Sequence, residues 1–431
     1  MARFFNNSDR EYDVILFGAT GFTGRFAAMH LAEMDRGLKW AIAGRSGAKL
    51  TKLAEGLRLK TSQSPDVIPV EFTTKSLAAL ARQTRCLVAT AGPFPQHGVL
   101  VFKSCAENGT YYVDINGETP SVLEMIKAYE EAAKSTGAMM VPSCGVGSLP
   151  ADLLTCLMVE KIKETYDCPT LAALTSVHDS RVQASGGTLN GLVTSVSSYG
   201  LRNILKAGKP WALSPIHPAR SQTDGRRNIS KDTIERLQLG TLGFGMTAAH
   251  DQAIVQRTWG LLQQEEHSGL KLTSYGPNFD FRSVQRYPSV VHGWAFWVLV
   301  WVMTILPAIF PPLKWLIKLL VPPGSGPNER ERQKNFIEYR GVAIAELKED
   351  AQDVQGNPPP QKGVQAKLRY NGDSYMLSGI MAVEAAVILL DPRRDCVAHK
   401  LGGGILTPAT LGQPLADRLR TAGVQIEIEA L

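Results

Sequence analysis

The chain has 431 residues, 44% hydrophobic and 20% charged, the balance of a globular protein with room for two or three domains. Its net charge of +6 is modest and spread out, with no lysine–arginine block and no basic–aromatic interleaving, which argues against a nucleic-acid partner. Six scattered cysteines make no CxxC pair and no zinc spacing, so we expect no metal and a reducing, intracellular setting.

Residues 1–11 are polar, without the apolar core of a secretory signal or a clear transit pattern, and the expected location is cytoplasmic. The run Tyr12–Phe17 then reads as a buried strand that ends in Gly18-Ala19-Thr20-Gly21-Phe22-Thr23-Gly24, with a helical pattern from Phe22 to Met34. Taken alone, GxxGxxG is a weak signal, because glycine triplets also make plain turns. Strand before, helix after and a place near the chain start favour a dinucleotide turn, so Gly18, Thr20, Gly21, Phe22, Thr23 and Gly24 are candidate cofactor-binding residues. In that reading the first glycine permits the turn, the second admits the phosphates, and the third packs helix on strand.

The second strand, Leu38–Ser46, ends in Gly44-Arg45-Ser46. An NAD site places an acid about twenty residues after the glycines, to bind the ribose 2′-hydroxyl; an arginine there accommodates a 2′-phosphate. Arg45 and Ser46 therefore point to NADP(H). The competing reading is a solvated arginine after a strand. Further strands are expected at Val67–Phe72, Cys86–Phe94, Tyr111–Asp114 and Ala138–Pro142, with helices such as 98–107 and 121–135 between them. The alternation gives an α/β fold, a Rossmann-like doubly wound parallel sheet over residues 1–145. Ligands bind such sheets beyond the carboxyl ends of the strands, which aligns the glycine turn, Arg45, Ala91-Gly92-Pro93 and Asp114–Glu118 along one edge.

From residue 146 to 395 the pattern reads as a second, α+β domain for substrate, with strands at 170–178, 339–347 and 364–370 and helices at 150–162, 187–205 and 378–390. One segment is unusual. Residues 289–313 contain no Lys, Arg, Asp or Glu, are long enough to span a bilayer, and are broken by Pro307, Pro311 and Pro312. The inserted apolar stretch, 289–321, leaves three arrangements open: a single span, a helical hairpin dipping into or lying on a membrane, and a buried subdomain or apolar lid over a greasy substrate. A Pro/Gly loop follows at 322–327, and residues 350–362 read as a loop between two strands.

Candidate proton donors near the expected cleft are His97, Tyr111, Tyr112, Asp114, Glu118 and, from the second domain, His178. Each has a structural alternative: a loop histidine for His97, a cap for Asp114 and Glu118. Ser185-Gly186-Gly187-Thr188 reads as a helix entry able to bind an oxygen anion, or simply as an N-cap. No nucleophile elbow, HExxH or phosphate loop with Gly-Lys-Ser/Thr is present.

The sequence resembles the saccharopine dehydrogenase-like oxidoreductases, and most of all the branch with the trans-acting enoyl reductases. The matching motifs are Gly18–Gly24, Ala43-Gly44-Arg45, Ala91-Gly92-Pro93-Phe94, Tyr112–Glu118, Ser185–Thr188, Gly324-Ser325-Gly326-Pro327 and Gly404-Ile405-Leu406-Thr407-Pro408-Ala409, in family order over nearly the whole chain. The resemblance implies a split Rossmann domain with an inserted α+β domain, so that 396–431 returns to the first domain. It also implies NADP(H), and for some relatives membrane or lipid-droplet contact. One departure is Cys144-Gly145-Val146-Gly147-Ser148-Leu149-Pro150, where the family often has Phe-Asp in place of Val146-Gly147; any role of that acid in holding a polar substrate lapses here. The favoured expectation is an NADPH-dependent enoyl reductase of a hydrophobic acyl, lipid or polyketide-type intermediate, presented by a synthase or carrier, with a homodimer as a further expectation. The alternatives are a C=N reductase or dehydrogenase, and a membrane- or droplet-associated protein with a vestigial nucleotide fold.

Overall fold

The computed structural model describes residues 9–34, 37–61, 63–92, 94–183, 185–218, 229–266, 273–320, 326, 328–347 and 361–431. The first unit runs β1 (Tyr12–Phe17), α1 (Phe22–Glu33), β2 (Trp40–Gly44), α2 (Gly47–Thr61), β3 (Asp66–Pro69), α3 (Thr74–Gln83), β4 (Thr84–Ala89), α4 (Phe94–Glu107), β5 (Tyr111–Asp114), α5 (Thr119–Thr136) and β6 (Met139–Val141). There follow α6 (Leu149–Tyr166), β7 (Thr170–Arg181), α7 (Gly186–Tyr199), α8 (Leu201–Ala207), α9 (Lys231–Arg236), β8 (Thr241–Gly243), α10 (Ala248–Glu266), β9 (Asp280–Tyr287), α11 (Val290–Ile309), α12 (Pro311–Leu320) and α13 (Glu329–Arg332). The chain closes with β10 (Phe336–Ala345), β11 (Gly363–Tyr370), α14 (Ser374–Leu390), α15 (Val397–Leu401), β12 (Gly404–Ile405), α16 (Gly412–Thr421) and β13 (Gln425–Ala430).

Seven parallel strands form the first sheet in the order β12-β6-β5-β4-β1-β2-β3. The inner strand β1 is apolar on both faces because both faces are covered. Val14 and Leu16 join a core with α1, α2 and α14, whereas Ile15 and Phe17 join one with α3, α4 and α5. Strand order reverses between β1 and β4, so the ligand crevice opens where the glycine turn and Ala91-Gly92 leave the sheet.

The second sheet has the order β13-β11-β10-β7-β9-β8, antiparallel except for β7–β9. Helices α6 and α10 pack on it. The two sheets trade segments in ways the sequence pattern does not show. Helix α14, expected in the second domain, lies on α1, β4 and β5 of the first, and Gly379 allows it so close to α1 that a Cβ there would stand 2.8 Å from the Ala27 nitrogen. Residues 396–431 divide: β12 extends the first sheet beside β6, but β13 pairs with β11 in the second.

The apolar segment forms two consecutive helices, α11 and α12, both resting on α7. Pro307 sits inside α11 without ending it; the helix stops at Phe310, just before Pro311-Pro312. Val290, Val291, Trp294, Leu299 and Ile309 of α11 and Trp315 and Leu319 of α12 are exposed, so the segment is not a buried subdomain. The loop expected at 350–362 lies almost wholly outside the described residues, although β10 and β11 pair as its flanking strands.

Candidate active site

The glycine turn leaves β1 with Gly18 at φ +86°, a conformation that favours glycine, and a Cβ there would meet the Ala91 nitrogen at 2.7 Å. Gly24 is equally constrained: a Cβ would collide with the Gly18 carbonyl and stand 2.8 Å from Thr90 Oγ1. Gly21 is the N-cap of α1, and its own Cβ would lie 3.2 Å from the Gly18 oxygen. Thus all three glycines shape the turn, Gly21 included. Helix α1 has no side-chain cap and no acid in its first turn, so its leading N–H groups remain available to an anion. Thr23 is buried, Thr20 accepts a hydrogen bond at its carbonyl from Arg25 Nε at 3.2 Å, and Phe22 turns its ring onto Tyr375 and Phe26 at 5.2 and 5.4 Å between centroids. Gly326 lies on that ring so closely that a Cβ would collide with it; Gly324, Ser325 and Pro327 lie outside the described residues.

Arg45 and Ser46 are exposed where β2 ends and α2 begins. Helix α2 also lacks an acid in its first turn. A cation, a hydroxyl and a helix start placed together suit a phosphate group. Gly92, after β4, is exposed with open space around the position of a Cβ. Pro93 and the side chain of His97 lie outside the described residues; α4 begins at Phe94, so the backbone of His97 is in a helical first turn rather than a loop. These residues fit a dinucleotide carrying a 2′-phosphate.

Beyond β5 the polar residues fall into two groups. Asp114 is fully buried and accepts from Ser143 N at 2.8 Å, Asn116 N at 2.9 Å and Tyr112 Oη at 2.9 Å. Burial raises its pKa to about 6 against the pull of those three donors. With its oxygens so engaged, Asp114 ties the end of β5 to the end of β6, and Tyr112 is spent on it. Ser143 reaches Asp114 from φ +66°, a strained conformation for serine, and also touches His250 at the start of α10. His250 Nε2 lies 3.2 Å from the Asn116 carbonyl and 3.1 Å from Ser143 Oγ, while Nδ1 lies 2.9 Å from Thr119 Oγ1. A carbonyl only accepts, so Nε2 carries the hydrogen and Nδ1 accepts from Thr119. Burial pushes the His250 pKa down to about 4, keeping it neutral as a latch between the two sheets.

Glu118 forms the second group. It is the N-cap of α5, and the phenol of Tyr199, at the end of α7, donates a short hydrogen bond to its Oε2. Burial raises the carboxyl pKa. Asn116 Oδ1 accepts from Glu118 N at 3.0 Å, leaving Asn116 Nδ2 buried without a hydrogen-bond partner among the described residues. Asn190 Oδ1, on α7, is in the same state. At the other end of α7, Ser185 caps the helix by accepting from Thr188 N, and both residues bond to Tyr375 Oη at 2.7 Å. The cap reading thus holds for this motif, and through Tyr375 it sits beside Phe22 of the glycine turn.

Tyr111 is half-buried on β5. His178 stands apart. It is the extra residue of a β-bulge in β7, accepts from Arg286 Nη1 at 3.3 Å, and has its pKa pushed down to about 4 by burial and the Arg340 and Arg286 charges. Cavities of about 120 and 240 Å³, one by Leu239 and Arg340 and one by His30 and Arg418, also lie off this edge.

Residues 14–141 match the saccharopine dehydrogenase NADP-binding domain. Across its length the chain is similar to a Mycobacterium tuberculosis protein provisionally named a trans-acting enoyl reductase, 27% identical over 441 residues and 98% of each chain. It is 26% identical to the trans-acting enoyl reductase of Mycobacterium leprae over 97% of each. Among solved structures, apo saccharopine dehydrogenase (L-Glu forming) of Saccharomyces cerevisiae aligns over 97% of this chain and 100% of that one, at 13% identity and a TM-score of 0.48. The chain is therefore an NADP-dependent oxidoreductase that carries a saccharopine dehydrogenase NADP-binding domain over residues 14–141 and is similar along its length to trans-acting enoyl reductases.

Proposed function

We propose that this protein reduces the C=C bond of a hydrophobic enoyl thioester. One observation carries the reading: α7 holds Tyr199 against Glu118 and also bears the exposed apolar helices α11 and α12. Trp294, Ile309 and Trp315 are 63, 74 and 68% exposed, part of an apolar surface large enough to need a partner. A greasy acyl chain and a membrane surface are the partners that suit it, and the full-length relatives carry the name trans-acting enoyl reductase. Bound NADPH supplies the hydride. The protein's share is to hold the phosphates at α1 and Arg45, to shield the reacting carbons from water, and to provide a proton. An amino-acid substrate, as in C=N chemistry, would need clustered cations. Arg181 and Arg202 are instead exposed on β7 and α8, and Arg226 and Arg227 lie outside the described residues.

The test is NADPH oxidation by the purified protein with trans-2-enoyl pantetheine thioesters of increasing chain length and with cyclic imines. Turnover of the thioesters, rising with chain length, is expected. Turnover of imines alone, or no binding of NADPH, overturns the reading.

A further inference from the structure

We infer that Tyr199 donates the proton that completes the reduction and that Glu118, behind it, is the source of that proton. This rests on the enoyl-reductase reading above. The hydroxyl of Tyr199, a residue only 7% exposed, meets Glu118 Oε2, four residues past the end of β5 on the sheet edge that carries the cofactor turn. A helical side chain leans toward its helix N-terminus, so Tyr199 reaches back along α7. There Gly191 leaves room for the other oxygen: a Cβ at Gly191 would stand 3.3 Å from Glu118 Oε1. The carboxyl is thus clasped on one side by α7. Beside it Asn116 has its amide orientation set by the Glu118 N–H, which needs an acceptor, and so presents a buried NH₂ with no partner among the described residues. An unused donor beside an acid pair suits a thioester oxygen that becomes negative during reduction.

Three other polar groups on this edge are engaged. Tyr112 and Asp114 bond to each other, and both ring nitrogens of His250 have partners. Burial raises the Glu118 pKa, which favours a carboxyl that still carries a proton.

The step balances. Hydride addition at Cβ moves the C=C electron pair onto the thioester oxygen as an enolate. The Tyr199 O–H bond then breaks as the Cα–H bond forms. For this step Glu118 is protonated and the hydrogen bond of the pair runs from its carboxyl to the phenolic oxygen, which frees the phenolic O–H for Cα. The phenolic oxygen takes the Glu118 proton across that bond, and water reprotonates Glu118 after product release. The alkene is reduced and NADPH oxidised, with one hydride and one proton added.

The experiment uses the full chain, NADPH and trans-2-dodecenoyl pantetheine in D₂O. Wild type is expected to place one deuterium at Cα in a single configuration. Tyr199→Phe should lower kcat about 100-fold or more, the range for loss of a general acid, and scramble the configuration of whatever product forms. Its Kd for NADPH, read by nicotinamide fluorescence, and its melting temperature should match wild type. Glu118→Gln, which preserves shape, should lower kcat at least tenfold while protonation remains stereospecific. A Tyr199→Phe enzyme with wild-type kcat and a single configuration overturns the assignment, as does one that has lost NADPH binding or its fold, which makes Tyr199 a brace. Unchanged turnover in Glu118→Gln removes Glu118 as the source. A wild type inert to the thioester overturns the enoyl-reductase reading itself and this assignment with it.

Discussion

Gly18 passes beneath Ala91 so closely that any Cβ would stand 2.7 Å from the Ala91 nitrogen and 2.8 Å from its Cβ. The turn and the end of β4 are therefore one packed unit, held further by Thr90 N donating to the Phe17 carbonyl at 2.9 Å. Gly18→Ala adds a clash to an unfavourable φ of +86°. It should cost about 2–4 kcal/mol of stability and abolish NADPH binding in whatever protein folds. Denaturant unfolding and fluorescence titration check this. A folded variant with normal stability would show that the turn can relax and that its geometry is not what holds the cofactor.

Arg45 is exposed where β2 ends, and we propose that it meets the 2′-phosphate of NADP(H). Its guanidinium would act on the 2′-phosphate alone. Arg45→Ala should weaken NADPH binding about tenfold to a hundredfold, the worth of roughly 1.5–3 kcal/mol for a hydrogen bond to a charged group. Binding of NADH should stay within about twofold, since 1.4 kcal/mol is already tenfold. Parallel titrations of both nucleotides decide it; an equal loss for both would mean that Arg45 supports the fold rather than the phosphate.

The first unit could be read from the sequence because its signals are local. An apolar run buried on both faces, glycines at every third place and the arginine after β2 each lie within a few residues of their effect. The latch and the acid pair could not be read that way. His250 meets Asn116, and Tyr199 meets Glu118, only because α10 and α7 return to the edge of the first sheet from far along the chain. Helix α14 was legible as a helix but not as part of the first unit, because a segment buried on all sides carries no stripe to say which sheet it covers. Strands β9 and β13, Asp-Phe-Arg-Ser-Val-Gln-Arg-Tyr and Gln-Ile-Glu-Ile-Glu-Ala, escaped notice for the opposite reason: too few apolar residues to stand out. The expected helix over 187–205 is two helices, broken where Gly200 takes φ +75°.

Asp251, next to the latch histidine, gives a pH test. It is 1% exposed and its Oδ2 accepts from Thr247 Oγ1 at 2.9 Å and Ser283 Oγ at 2.7 Å, while Oδ1 is buried without a partner among the described residues. Burial, outweighing those two donors, raises its pKa to about 7. A carboxyl raised in this way is held protonated by the fold. Its contribution is greatest below the unfolded value near 4 and declines as pH rises to about 7, then stays level. Asp251→Asn cannot titrate, so its stability relative to wild type should improve by about 2–3 kcal/mol between pH 5 and pH 8. Urea unfolding of both proteins at the two pH values measures the difference. An offset independent of pH would place the ordinary carboxylate pKa on Asp251 and remove this account of the site.

The apolar face of α11 and α12 is the remaining surface to test. Val290, Val291, Trp294, Val298 and Trp301 on one helix and Trp315, Leu316 and Leu319 on the next are exposed at once. Tryptophans suit the headgroup level of a bilayer, and an apolar helix resting in that plane gains affinity with the area it buries. Burial of one large apolar side chain is worth about 1.5–3 kcal/mol, so each lost anchor should weaken partitioning roughly tenfold or more. In flotation with phosphatidylcholine–phosphatidylglycerol vesicles the intact protein should rise with the lipid. Trp294→Glu combined with Trp315→Glu should leave it in the dense fraction. Because both side chains are more than 60% exposed, the change leaves the core, and with it NADPH binding, untouched. A wild type that stays in the dense fraction, or a variant that still floats, would turn this face from a lipid surface into a cover for substrate or another protein.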